Sequence, residues 1–357
     1  MTTVLSILAA ILMFSLVIFV HELGHFLFAK LFRIQVNEFS MFMGPAIVKW
    51  QRGETLYAIR CIPIGGYCAM EGEDGESENP RAFSSAAWWK RLCILAAGPL
   101  TNILLGFLIF ILVFLPNTQI ATPVITDFSE CCTFHGENGL QVGDEILQID
   151  GENIYVQSDI SMLFNLSEDG VHDITVLRDG ARLEFKDLDM RHVCKDENGK
   201  DTLHYGIYIG QTVPLDPLMR LQHAWNLTID NIRTVRLSLQ MLFTGKAGVQ
   251  DVTGVVGLVG IMTDVAATSP TVWDAFLNLL YFSGFIAVNL GVMNLLPIPA
   301  LDGGRIVALL LTTVVEGITK KKLNPKYEAY LHGAGMVLLL ILMAVVLFKD
   351  VIMIFAG

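Results

Sequence analysis

Asp, Glu, Lys and Arg are absent from four long stretches of this chain: residues 4–20, 92–115, 275–301 and 331–348. Crossing about 30 Å of hydrocarbon takes about 20 mostly apolar residues in a helix, so each stretch is a candidate membrane span. In the first, apolar character resumes beyond a short polar interruption and runs to residue 32. No basic residue precedes that stretch, and it leads into His21 and Glu22 instead of a small-residue cleavage site, so it is expected to be a retained helix. A fifth apolar run, residues 306–315, is about half the needed length and is expected as a short helix within or beside the bundle. The predicted class is a polytopic α-helical membrane protein with about four transmembrane helices.

Composition agrees. Of 357 residues, 53% are hydrophobic and 17% charged, against about 45–50% and 25% in soluble domains. A disordered chain, a collagen-like fibre and an ordinary cytosolic enzyme are excluded. A net charge of −11 is wrong for nucleic acid, whose phosphates need a basic face. The acidity is concentrated: residues 116–217 hold nineteen acidic and six basic side chains. We therefore expect residues 1–115 to form an N-terminal membrane core, 116–216 an acidic soluble domain, 217–273 a connecting region, and 274–357 a C-terminal membrane core.

Orientation follows from Lys and Arg near the span ends. Eight fall between residues 30 and 91 and five between 305 and 326, including Lys320, Lys321 and Lys322. These two loops are expected in the cytoplasm of a multi-pass cell-membrane protein. The acidic block and both termini are then outside, and membrane lipid is a partner.

Ionisable residues inside apolar helices cost about 2.5–3.5 kcal/mol each on insertion scales and so mark function. One such place is His21-Glu22-Leu23-Gly24-His25. Positions i and i+4 of a helix share a face, so both imidazoles can meet one ion with Glu22 beside it. That is the H-E-x-x-H zinc signature, in which the glutamate serves as general base. The second place is Asn294 to Arg305, where Pro297 and Pro299 prevent a regular helix, Gly303 and Gly304 free the backbone, and Asp302 stands alone among apolar residues. Catalytic zinc takes three protein ligands and leaves a position for water. Asp302 is the candidate third ligand, since it and His25 fall at the same expected side; its alternative role is a cap for the helix that follows.

The pair HELGH and NLLPIPALDGG resembles the site-2 protease family of intramembrane zinc metalloproteases, in its bacterial regulator-of-sigma-E branch, which has an extracytoplasmic PDZ domain. Residues 62–67 with Met70-Glu71-Gly72, and Ala97-Gly98-Pro99-Leu100-Thr101-Asn102, are similar to further family segments. The resemblance implies a Zn²⁺-dependent endopeptidase with His21, His25 and Asp302 as ligands and Glu22 as base. Asn294 and Asn289 help place the substrate, and Asn102, Pro297 and Pro299 join that substrate-binding group. Implied substrates are single-pass membrane proteins already trimmed by another protease, such as anti-sigma factors, and remnant signal peptides. Two positions depart from the pattern: residues 254–258 lack the usual proline, and Arg305 stands where relatives often carry histidine.

Between residues 36 and 67, short apolar runs at 39–42, 46–50 and 56–59 read as strands. The resemblance makes them a sheet that dips toward the membrane beside the zinc and holds the substrate extended. Residues 139–151 resemble the most recognisable stretch of a PDZ domain, and 171–185 read as a hairpin about Asp179-Gly180. One PDZ-like domain fits the length, acting either in peptide binding or as a size filter. Leu218, Leu221, Trp225, Ile229, Ile232, Val235, Leu239 and Leu242 form a helical stripe, set against the domain or the outer leaflet. A disulfide from Cys194 to Cys131 or Cys132 is compatible with an external location.

Two other readings use the same ligands. A peptide receptor with a structural metal would have no use for Glu22. A metal transporter would want more ligands along a path, yet the other histidines except His332 lie in residues 116–274.

Overall fold

The computed structural model describes residues 3–73, 75, 77–129, 136, 139–167, 169–195, 201–246, 248, 254–320 and 325–356. The chain opens with α1 (Thr3–Leu31), β1 (Val36–Arg52), β2 (Thr55–Met70) and α2 (Trp88–Val113). Next come β3 (Gln119–Phe128), β4 (Glu145–Ile149), β5 (Glu152–Asn153), α3 (Ser158–Phe164), β6 (Val171–Arg178) and β7 (Ala181–Asp189). They are followed by β8 (His192–Lys195), β9 (Asp201–His204), β10 (Ile207–Pro214) and α4 (Pro217–Thr244). The chain ends with α5 (Val255–Thr268), α6 (Val272–Asn294), α7 (Asp302–Thr319) and α8 (Pro325–Ala356). Two compact units result: Met1–Val113 with Asn231–Gly357, and Phe114–Asp230.

In the first unit, four helical segments are long and apolar enough to cross a membrane: Ile7–Leu31, Trp88–Val113, Val272–Asn294 and Gly333–Asp350. The protein is thus a polytopic membrane protein that also carries β-sheets. Residues 21–25 interrupt the hydropathy of α1 but not its backbone, which stays helical to Leu31. The third charge-free stretch behaves differently: α6 stops at Asn294, and residues 295–301 form a loop. The short apolar run is longer than expected, because α7 begins at Asp302 itself and reaches Thr319.

Without water to drive them together, membrane helices pack through close backbone approach at small residues. A Cβ on Gly106 would stand 2.8 Å from the Gly284 carbonyl oxygen, and one on Gly291 would stand 2.7 Å from that of Pro99. Both contacts join α2 to α6. The opposite face of α2 shows Leu100, Leu104, Leu108 and Leu112, each about half exposed, at helical spacing. That stripe suits lipid tails. Near the other end of the bundle, Asp350 of α8 is buried and its Oδ2 accepts from the Gly257 N–H of α5 at 3.0 Å. Gly254, the cap residue of α5, leaves room for this carboxylate, since a Cβ there would meet Asp350 Oδ2 at 2.6 Å.

The two strands of the first unit are long and bent, so the short strands expected from the sequence are merged. Positive φ at Phe42, Gly44 and Gly65 makes the bends. As a result the 36–41 part of β1 pairs with β2 on both sides: Phe39 lies opposite Cys68 on one side and Tyr57 on the other. The order across the sheet is residues 46–52, 55–60, 36–41 and 66–70, with 66–70 at an edge. Phe39 anchors the sheet to α1, its ring 4.9 Å from Phe26 and 5.8 Å from Phe19.

The base of the sheet is held by Glu54. It accepts from Lys30 Nζ at 2.8 Å and takes both Arg81 guanidinium nitrogens, at 2.7 and 2.8 Å. The Arg81 and Lys30 hydrogen bonds lower its carboxyl pKa to about 2.

In the second unit the antiparallel order is β10-β3-β4-β6-β7, with β5 on β4. Asp179 and Gly180 both adopt positive φ in the β6–β7 hairpin, as a type I′ turn requires. Buried Asp144 accepts from Arg178 Nε at 2.7 Å and from the Gln141 N–H at 2.8 Å, fixing the turn before β4 to the sheet. Along α4, Leu218, Leu221, Trp225 and Leu242 of the expected stripe are exposed, whereas Val235 is buried. The disulfide expectation falls on Cys131 and Cys132, outside the described residues, and so does much of the Lys320–Lys322 cluster.

Glu54→Gln should lower the unfolding stability of detergent-solubilised protein by about 1 kcal/mol at neutral pH. A depressed carboxylate pKa stabilises above the unfolded value, about 4.3, and that contribution fades as pH falls through the folded value. Thermal denaturation of variant and parent should therefore converge as pH is lowered from about 4.3 to about 2.

Candidate metal centre

His21 and His25 lie one turn apart on α1, and Asp302 opens α7. Among the described residues these three are the one group of His, Cys, Asp or Glu side chains able to hold a metal ion. The Nε2 atoms of His21 and His25 are 3.3 Å apart. Asp302 Oδ2 lies 3.2 Å from the first and 3.3 Å from the second. Ligand atoms at about 2.0–2.1 Å from a tetrahedral ion stand about 3.3 Å from one another, so the separations suit zinc.

The protonation pattern also suits a cation. His25 Nδ1 faces the Ile94 carbonyl oxygen at 2.8 Å, and a carbonyl can only accept, so the ring proton is on Nδ1. A lone pair of His25 Nε2 is then turned toward Asp302 Oδ2, a buried atom with no hydrogen-bond partner among the described residues. Electron-rich atoms converge at this distance when a positive centre lies among them.

The local backbone explains how they are brought there. A Cβ on Gly98 of α2 would overlap the His25 imidazole, and one on Gly24 would stand 2.6 Å from the Ala97 carbonyl oxygen. Glycines at both positions let α1 and α2 touch, and the His25 ring lies flat on the backbone of α2. For Asp302 the device is different from the one the sequence suggested. Gly303 and Gly304 have ordinary helical conformation in α7 and do not loosen it. Side chains there would run into the backbone of Leu295, Leu296 and Ile298, so the glycines allow the 295–301 loop to fold back over the first turn. Leu301 takes the cap position, which leaves Asp302 to face the histidines.

Glu22 follows His21 on the helix and lies within electrostatic reach of His21, His25, Asp302 and Glu73. Its Cγ approaches Gly66 so closely that a Cβ there would be 3.3 Å away. The edge strand 66–70 therefore passes directly beside it. Cys68 of that strand is buried, which pushes its thiol well above the ordinary value and keeps it protonated.

The expected substrate group divides. Asn294 ends α6, is half-buried, and its amide makes no hydrogen bond among the described residues. Pro297 is exposed and Pro299 half-buried in the loop that follows. Asn289 is half-buried, but its Nδ2 donates to the Phe285 carbonyl of its own helix at 2.7 Å. Asn102 departs from expectation: it is completely buried, with its amide nitrogen 3.4 Å from His21 Nδ1, and has no surface to offer a substrate backbone.

Sequence reasoning missed four contributors. Gly98 and the Ile94 carbonyl seat His25, Gly66 opens the edge beside Glu22, and Gly335 of α8 accommodates Pro299. Arg305, noted only as a departure, pairs with Glu73 and joins the end of β2 to the first turn of α7. No periodicity announces such contacts, because each depends on which helix lies opposite.

The model of peptidase family M50 matches residues 9–342. A protein of Clostridium acetobutylicum described as a zinc metalloprotease is 36% identical, over 97% of both chains. A Fusobacterium nucleatum protein with the same description is 34% identical, over 97% of this chain and 98% of the relative. The regulator of sigma-W protease RasP of Bacillus subtilis is 27% identical, over 97% and 98%.

Gly98→Ala should push the His25 ring off α2. Zinc affinity, measured by chelator competition in detergent, is expected to fall by about 100-fold, the upper end of losses from misoriented ligands.

Proposed function

The chain belongs to peptidase family M50 and is a zinc metalloprotease on a multi-pass membrane protein, and we propose that it cleaves the transmembrane helices of single-pass membrane proteins. The observation that carries this reading is the convergence of His21, His25 and Asp302 on helices that span or adjoin the apolar bundle, with Glu22 alongside.

In this reading His21, His25 and Asp302 hold the metal. Zinc, when bound, polarises the scissile carbonyl and lowers the pKa of water toward about 7. Glu22 takes the proton of the attacking water as oxygen adds to the carbonyl carbon. It returns that proton to the amide nitrogen as the C–N bond breaks, leaving a carboxylic acid and an amine. A substrate helix must unwind before its peptide bond is reachable. The edge strand 66–70 supplies backbone groups to an extended segment, and its closeness to Glu22 at Gly66 supports this. The amide of Asn294, which makes no hydrogen bond among the described residues, serves the same unwound segment, with Pro297 and Pro299 shaping its wall.

Substrates in this reading are anti-sigma factors already trimmed outside the membrane, and remnant signal peptides. The name of the Bacillus subtilis relative, a regulator of sigma-W protease, supports the first class. The sheet of residues 119–214 acts as a PDZ-like extracytoplasmic domain that admits only trimmed substrates. The zinc site is toward the cytoplasmic side, as the Lys and Arg distribution favours.

Glu22→Gln tests the mechanism. Loss of the base should cut cleavage of a transmembrane reporter by about 10²–10⁴-fold while bound zinc stays stoichiometric. Cleavage that survives with zinc in place would overturn it. Sidedness is checked separately: a membrane-impermeant thiol reagent applied to whole cells should label Cys131 or Cys132.

A further inference from the structure

The two histidines of the cluster are oriented by the same helix in different ways. His25 Nδ1 is satisfied by a backbone carbonyl, that of Ile94. His21 Nδ1 has a side chain instead, the amide of Asn102, two turns further along α2 at 3.4 Å. Asn102 is completely buried, and its Oδ1 is an orphan among the described residues. The contact sets the amide nitrogen, a donor, against Nδ1. That arrangement suits an imidazole whose proton is on Nε2, and such a ring has no lone pair on Nε2 to offer a metal. An imidazole that binds metal through Nε2 carries its proton on Nδ1 and needs an acceptor there.

A half-turn about the Asn102 Cβ–Cγ bond supplies that acceptor, because it exchanges Oδ1 and Nδ2 at nearly constant shape. The orphaned oxygen then takes the proton of His21 Nδ1. We propose that Asn102 is the positioning residue of His21: in the zinc-loaded enzyme its Oδ1 accepts from Nδ1, fixing the tautomer and aiming Nε2 at the metal. This rests on the reading of His21 as a zinc ligand. It removes Asn102 from the substrate-binding group and gives α2 charge of both histidines. Neighbouring contacts hold the amide in register: Thr101 Oγ1 donates to the Val20 carbonyl at 3.2 Å, and Gly24 of α1 lies against Ala97 and Thr101.

The test uses the full-length protein in detergent, with zinc as the probe and cobalt as its spectroscopic substitute. Four proteins are compared: the parent, His21→Ala, Asn102→Leu and Asn102→Asp. The expected pattern is loss of stoichiometric zinc in His21→Ala and a weakening of about 10–100-fold in Asn102→Leu, as for other groups that orient a ligand. Asn102→Asp, whose carboxylate is a stronger acceptor, should bind zinc at least as tightly as the parent and shift the ligand-field bands of the cobalt protein. The melting temperature of each metal-free variant checks that Asn102→Leu folds. Should it not fold, Asn102→Asp decides the matter, and an unchanged cobalt spectrum and affinity would overturn the proposal. Parental affinity in a folded Asn102→Leu, with zinc lost in His21→Ala, overturns it too and leaves the ligand reading standing. Undiminished zinc in His21→Ala overturns the ligand reading itself.

Discussion

The contact between α1 and α2 at Gly24 and Gly98 is the constraint on which the centre depends. Because neither position carries a side chain, the His25 ring can lie against the backbone of α2 and meet the Ile94 carbonyl. The same approach brings Asn102 onto His21. On its other side α2 meets α6 just as closely at Gly284 and Gly291, and α6 leads into the loop that delivers Asp302. A helix that contributes no member of the cluster thus sets the spacing between His21 and His25 near one end of the chain and Asp302 near the other.

The delivery of Asp302 shows how a membrane protein manages irregular backbone. Residues 295–301 lie between two helices, where unpaired backbone groups would be costly in hydrocarbon. The loop folds over the first turn of α7, and two of its N–H groups find carbonyls within it, Ile298 with Leu296 at 2.7 Å and Leu301 with Ile298 at 3.1 Å. Glycines at 303 and 304 remove the side chains that would keep it away, and Gly335 of α8 does the same for Pro299. The Glu73–Arg305 pair then ties this turn to the end of the edge strand. The turn that carries Asp302 and the end of the edge strand are thereby joined.

The site was legible where chemistry is costly. Two histidines, a glutamate and an aspartate stand out in apolar sequence because burying them requires a compensating centre, and the structure brings His21, His25 and Asp302 together. The spans were legible for the complementary reason, the absence of charge over helical lengths. What was not legible depended on the facing surface. Asn102 reads the same in sequence whether it faces a substrate or a ligand, and only its complete burial beside His21 separates the two. Gly303 and Gly304 read as flexible points, yet they are helical and serve close approach. The strand β1 reads as separate short runs because Gly44 and Pro45 break its apolar pattern, yet the structure carries the strand through them by positive φ at Phe42 and Gly44. Glu73 and Arg305, 232 positions apart, carry no signal of each other.

The leucine stripe on α2 has a kinetic meaning. Leu100 and Leu104 face outward while Asn102, on the other side of the helix, faces His21, so the exposed stripe and the cluster are separated there by a single helix, about 10 Å across. A molecule confined to the bilayer approaches that wall by sliding in a plane. For such a molecule, encounter is a search in two dimensions, and its frequency is set by surface density in the membrane and by how readily neighbouring helices part, with bulk concentration having no place in it.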